Sequence, residues 1–259
     1  MERIKLALLK CNYFIKTHTF RPRELKHNSR CDDRYEACKL LADQQVSNVI
    51  WLEDLLALHG SNTAVWDLHL LVEDPRTAAK ALLDNGYKET TPEPSFKDDP
   101  EFSERAIRLT HAQSSTIVML HAARDWHFQI DDSVQDFLPP LYSFLDSMIE
   151  FWLNISQDSA DRLRFSLYIG CLINYCYYLQ DFHEEQVNSP SYAEKLKPEH
   201  REVHYNITSE DPNEESFTTT NRHTYHVRKS REIKEGTFVP KPYEKGVFRT
   251  NLTTVSEQE

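Results

Sequence analysis

Apolar positions recur with a helical period between Asp32 and Gln45, where Ala37, Leu40 and Leu41 fall on one side of the segment. A second helical run is expected from about Ser47 to His59, with Val49, Ile50, Leu52, Leu55, Leu56 and Leu58 apolar and Gly60 as its stop. The period then shortens to two. From Thr63 to Val72, Trp66, Leu68 and Leu70 alternate with Val65, Asp67, His69 and Leu71, which predicts a strand carrying two polar groups on one face. Pro75 opens a helix over Arg76 to Leu83 that closes at Asn85-Gly86, and Tyr87 to Glu89 returns as a short strand. Ala106 to Thr110 and Ser115 to His121 are further strand candidates. Val134 to Leu153, interrupted at Pro139-Pro140, and Asp158 to Phe182 are expected helices.

This order predicts an α/β (α+β) protein: a mixed sheet with covering helices, a nucleotidyltransferase-like core, a C-terminal helical layer and an irregular tail. Residues 1–182 form one catalytic domain in this reading. Residues 183–259 lose the apolar periodicity and carry the acidic clusters Glu210-Asp211 and Glu214-Glu215. Their short strand-like pieces lie near Thr224 to Val227 and Thr237 to Val239, so an irregular, partly extended extension is expected.

With 39% hydrophobic and 11% aromatic residues in 259, the chain can fill one sizeable core. Phe165 to Phe182 is apolar but interrupted by Ser166, Asn174 and Gln180, which favours a buried helix over a membrane span. The charged N-terminal residues do not resemble a signal peptide, and five cysteines without a CxxC pair suit reduced thiols. A cytoplasmic protein is the expectation.

Charge redistributes this picture. The chain carries a net −11, yet residues 1–50 hold ten Lys and Arg against six Asp and Glu, so an anionic partner would be met mainly by the N-terminal segment. Within it, Lys16, Arg21, Arg23, Lys26 and Arg30 form a basic stretch able to contact several phosphates. Immediately after comes Asp32-Asp33-Arg34-Tyr35-Glu36. At helical spacing its three carboxylates share one face and repel one another unless a cation sits on them. That cation is a metal, a neighbouring Arg or Lys, or a substrate ammonium or guanidinium; alternatively, Ser29 caps a helix whose first turn favours acids through the dipole. A polyanionic carrier with a cationic cargo is what an aminoacyl-tRNA presents, and arginyl-tRNA adds a guanidinium suited to a carboxylate.

The pentapeptide matches DDxxE, and through it the chain resembles the fungal arginine-containing cyclodipeptide synthases, small enzymes of secondary metabolism. The resemblance implies an aminoacyltransferase that joins arginine from arginyl-tRNA to a second aminoacyl-tRNA-borne residue, giving a diketopiperazine, with Asp32, Asp33 and Glu36 at the catalytic site. Its partners would be the two charged tRNAs, with neither DNA nor a membrane. Each aminoacyl ester is already activated, so neither ATP nor another cofactor nor a metal is required; a positioned carboxylate can hold the α-ammonium and take its proton.

Two other patterns compete. Gly60-Ser61 followed by Asp67-Leu68-His69 resembles a minimal nucleotidyltransferase, although His69 stands where a second magnesium-binding acid is needed. A buried Asp67–His69 pair is the structural alternative, and a non-catalytic module binding an anionic partner is a further reading. An aspartate-rich diphosphate site would need an all-helical fold with a second metal motif, against the strand expected at 63–72. His111, His121 and His127, with Asp125 among them, are too scattered to suggest zinc.

Overall fold

A computed structural model describes residues 34–59, 65–91, 105–175, 187, 189–208 and 216–238. The sheet has five strands: β1 (Asn48–Trp51), β2 (Leu68–Val72), β3 (Tyr87–Glu89), β4 (Ile107–His111) and β5 (Val118–Ala122). Their spatial order is β1-β2-β5-β4-β3, with β2 and β5 parallel at the centre and the other neighbours antiparallel. This is the expected mixed α/β architecture.

The helices are α1 (Glu36–Asp43), α2 (Leu52–Leu58), α3 (Pro75–Leu83), α4 (Leu141–Asn154), α5 (Ala160–Tyr175), α6 (Arg201–Thr208) and α7 (Thr220–Lys234). Ala123–Trp126 and Pro190–Lys195 are 3-10 turns. Helix α3 starts where Pro75 needs no amide partner and the Asp74 carboxylate accepts from the Arg76 amide and the Thr77 hydroxyl. It packs on α1 and across β3, β4 and β5, while α2 packs on β1, β2 and α5. No described helix is long and apolar enough to cross a membrane.

Four expectations change. The apolar run expected as one helix over 47–59 splits into β1 and α2. Val49, Ile50 and Trp51 prefer a pleated surface, and all four β1 residues are buried against β2. A continuous apolar run of this length suits either element until its partner is known. Strand β2 begins only at Leu68, so Asp67 precedes it; residues 61–64 lie outside the described residues. Pro140 caps α4 instead of interrupting it, because a residue without an amide hydrogen loses nothing at a helix start.

The tail differs most. Within 183–259, α6 and α7 are regular helices, and the strand-like piece at Thr224 to Val227 lies inside α7. They bury His204, Asn206, His223, His226, Lys229 and Ser230 beside the apolar Val203, so the packed face is mostly polar and shows no continuous apolar stripe. A buried ion cluster fixes this layer to α4. His200 Nδ1 meets Asp146 at 2.6 Å, His200 Nε2 meets Glu150 at 2.9 Å, and Lys234 donates to both Glu150 oxygens at 2.6 and 2.9 Å.

Candidate functional site

Arg34 anchors the acidic pentapeptide. Its guanidinium donates twice to Asp54, at 2.6 Å each through Nε and Nη2, and reaches the carbonyls of Trp66 and Asp67 at 3.2 Å. The Tyr35 hydroxyl adds a 3.0 Å bond to the same carboxylate, whose residue is 1% exposed. Burial and the Asp54 charge push the Tyr35 phenol well above its usual range. Two of the five motif residues thus fasten the segment to the first turn of α2 and to the chain entering β2.

Helix α1 begins at Glu36, with Tyr35 rather than Ser29 in the capping position and no side chain bonded as a cap. Glu36 is exposed, and Lys39 one turn on approaches it at 3.8 Å, a surface contact of little strength. Asp32 and Asp33 lie outside the described residues, as do Lys16, Arg21, Arg23, Lys26, Arg30, Gly60 and Ser61. Beside the anchored segment stands Trp66, 77% exposed, its backbone carbonyl held by Arg34.

The next residue on α2 faces another way. Leu52 turns β1 into α2 through a left-handed backbone (φ 53°), which costs a side-chain-bearing residue on the order of 1–3 kcal/mol, and the helical turn then points the consecutive Glu53 and Asp54 in different directions. Glu53 accepts a hydrogen bond from Tyr168 on α5 and lies 3.7 Å from His69 Nε2. His69 Nδ1 is 2.9 Å from His121 Nε2. Strand register explains this meeting. His69 pairs with Met119 across the central strands, so His121, two residues further, projects from the same face at the diagonal position.

A Glu53 carboxylate favours the His69 tautomer with hydrogen on Nε2. His69 Nδ1 then accepts from His121 Nε2, which puts the lone pair of the neutral His121 ring on Nδ1. Burial, helped by the Arg108 charge, lowers the His121 pKa to about 3, so it is unprotonated at neutral pH. Burial likewise lowers His69 and raises Glu53.

His121 forms part of the wall of a cavity of about 270 Å³. Its other lining side chains include Arg105, Asp125, His127, Asp161, Trp126 and Phe151. Trp126 and Phe151 stack at 4.3 Å and 15°, forming a flat apolar wall, and Trp126 meets the His121 ring edge-on at 5.7 Å. Of the dispersed histidines, His121 and His127 join Asp125 here, whereas His111 packs on Tyr87.

The Asp67 carbonyl belongs to the Arg34 anchor, and His69 is buried between His121 and Glu53, unlike two acids converging on magnesium. Among the described residues, Glu150, Glu199 and His200 approach metal-ligand spacing, but both His200 nitrogens already engage carboxylates. Cys38 and Cys171 form no disulfide, and burial pushes the Cys38 thiol up to about 12, which makes it inert. Sequence reasoning missed Glu53, Asp54, Tyr168 and the cavity. Two adjacent acids after an apolar run were the available signal for the first pair; nothing local marked the others.

No protein-family model matches the chain, and no curated protein does. Among solved structures it is similar to JHP933 from Helicobacter pylori, at 11% identity and a TM-score of 0.35, over 90% of this chain and 99% of that one. That likeness is too slight to carry an argument.

Proposed function

We propose that this protein is a tRNA-dependent cyclodipeptide synthase, joining arginine from arginyl-tRNA to the amino acid of a second aminoacyl-tRNA. The observation that carries the reading is the Arg34–Asp54 anchor: it fastens Arg34, inside the DDxxE motif, to the backbone carbonyl of exposed Trp66 and to the carboxylate next in sequence to Glu53, which leads through His69 to His121 in the cavity wall. A cationic aminoacyl group calls for acids such as those of the motif and a nucleobase for an exposed aromatic face such as Trp66, the two needs of the charged 3′ end of a tRNA.

The chemistry balances without a further reagent. In each of two steps an α-ammonium first gives one proton to solvent through a carboxylate, the free amine attacks an ester carbonyl, an amide C–N bond forms, the ester C–O bond breaks, and a second nitrogen proton ends on the released ribose hydroxyl. Asp32, Asp33 and Glu36 hold the ammonium or guanidinium and pass the proton, and the N-terminal basic stretch meets phosphates.

Incubation with a mixture of charged tRNAs is expected to yield arginine-containing diketopiperazines by mass spectrometry, and the Asp33→Ala, Glu36→Ala double variant should yield none. Product that persists in that variant removes the assigned site. Tight tRNA binding without any product would leave a binding module and overturn the enzymatic reading. Trp66→Ala should weaken binding of charged tRNA about tenfold, since stacking on one base contributes about 1–3 kcal/mol. Because the ring is exposed, the melting temperature should stay almost unchanged; filter binding beside a thermal melt measures both.

A further inference from the structure

We propose that the cavity beside His121 is a binding site for a small α-amino acyl ligand with an apolar side chain: a primary ammonium next to a carbonyl, on a body that packs against Trp126 and Phe151. Four features define this chemistry. The space of about 270 Å³ suits an amino acid rather than a nucleotide. The stacked Trp126–Phe151 wall offers a flat apolar surface to a side chain. Asp161, 4% exposed with Arg164 at 3.6 Å, and Asp125 at the rim supply carboxylates that an ammonium can meet. Arg105, exposed at the rim, supplies the positive charge that a carboxylate, or a phosphate behind an ester, requires.

The His121 end adds orientation. Its Nε2 is committed to His69, which lies against Glu53, and Tyr168 bonds Glu53 in turn, so the imidazole is held from behind by buried His69 and the part-buried Glu53–Tyr168 pair. A ring fixed in this way presents one face and one tautomer to whatever enters. His127, whose left-handed backbone (φ 52°) ends the 3-10 turn after β5, closes the same rim.

This proposal stands on the cavity and does not require diketopiperazine synthesis; where that reading also holds, the cavity is the natural place for the second, uncharged-side-chain building block. Its test reads binding instead of turnover, so the two fail separately. Saturation-transfer NMR and calorimetry with the intact chain would use L-phenylalanine, L-leucine, L-phenylalanine methyl ester and 3-phenylpropionate, which lacks the ammonium. Saturable binding is expected for the first two or for the ester, with 3-phenylpropionate at least about tenfold weaker, roughly the loss of one charged contact. Preference for the free acid assigns the site to a free amino acid, and preference for the ester assigns it to an esterified one; both support the proposal. Ser156→Trp places a bulky ring at the mouth from an exposed position and should abolish binding while the melting temperature is retained; Asp161→Asn should weaken the amino ligands but not 3-phenylpropionate. No saturation by any amino ligand at millimolar concentration, or equal binding of 3-phenylpropionate, overturns the assignment. So does binding that survives in both variants.

Discussion

Arg34→Ala is expected to lower the unfolding free energy by about 3–5 kcal/mol, because among the described residues it leaves the buried Asp54 carboxylate with Tyr35 as its side-chain partner. For a chain of this length each kcal/mol moves the melting temperature by about 2–4 °C, so a drop on the order of 10 °C should appear in a thermal melt. Arg34→Lys should recover only part of it, since one ammonium cannot make two parallel bonds to Asp54 and also reach the Trp66 and Asp67 carbonyls. The informative control is the double substitution Arg34→Met, Asp54→Leu, which removes both charges together. It should restore most of the stability yet still fail to make product, because an apolar pair packs but no longer ties the pentapeptide to the chain entering β2. A loss below about 1 kcal/mol for Arg34→Ala would mean the pair behaves as a solvated surface bridge, and the anchor would then explain nothing about the site.

The same pair shows how far the sequence could be read. The acidic pentapeptide was visible as a charge pattern, but its central Arg34 carries the structural information, and its partner lies 20 residues on, inside a run whose strand-to-helix switch has no local marker. Strand β1 reads as helix because its burial comes from β2, more than 15 residues later in sequence. The central strands were legible because parallel strands buried on both faces are near-continuous apolar runs. That very context makes His69 and His121 conspicuous once the register is known, whereas neither position alone distinguishes a core histidine from a catalytic one. Helices α6 and α7 escaped detection for the opposite reason: apart from Val203 their buried side chains are histidine, asparagine, lysine and serine, and hydropathy is blind to buried polar pairs such as His226–Asn206 and Lys229–Glu202.

Those buried histidines should make the fold unusually sensitive to mild acid. His69, His121, His204, His223 and His226 all have lowered pKa values, chiefly through burial, with His121 and His226 at about 3. A group whose folded pKa lies below its unfolded value contributes stability above the unfolded value, near 6.5, and loses it as pH falls, because the unfolded chain binds the proton first. Each such histidine steepens the decline by about 1.4 kcal/mol per pH unit below that point. His200 behaves in reverse. Its two carboxylate partners outweigh its burial and raise its pKa, so its stabilisation is complete below the usual histidine range and fades as pH rises through the raised value. Glu150, held low by bonds from His200 and Lys234, contributes fully above the ordinary carboxylate range and loses that contribution progressively as pH falls below it. Urea unfolding followed by circular dichroism should therefore give a midpoint that is highest near neutrality and falls steeply between pH 6.5 and 5, above the range where ordinary carboxylates titrate. His226→Leu should flatten that acid limb by about one proton, and His200→Gln should remove the alkaline decline while lowering stability at pH 7 by about 3 kcal/mol, since Asp146 and Glu150 would face each other with Lys234 as their remaining side-chain cation. A midpoint that stays flat from pH 7 to 5 would mean these imidazoles are reached by water before the fold opens.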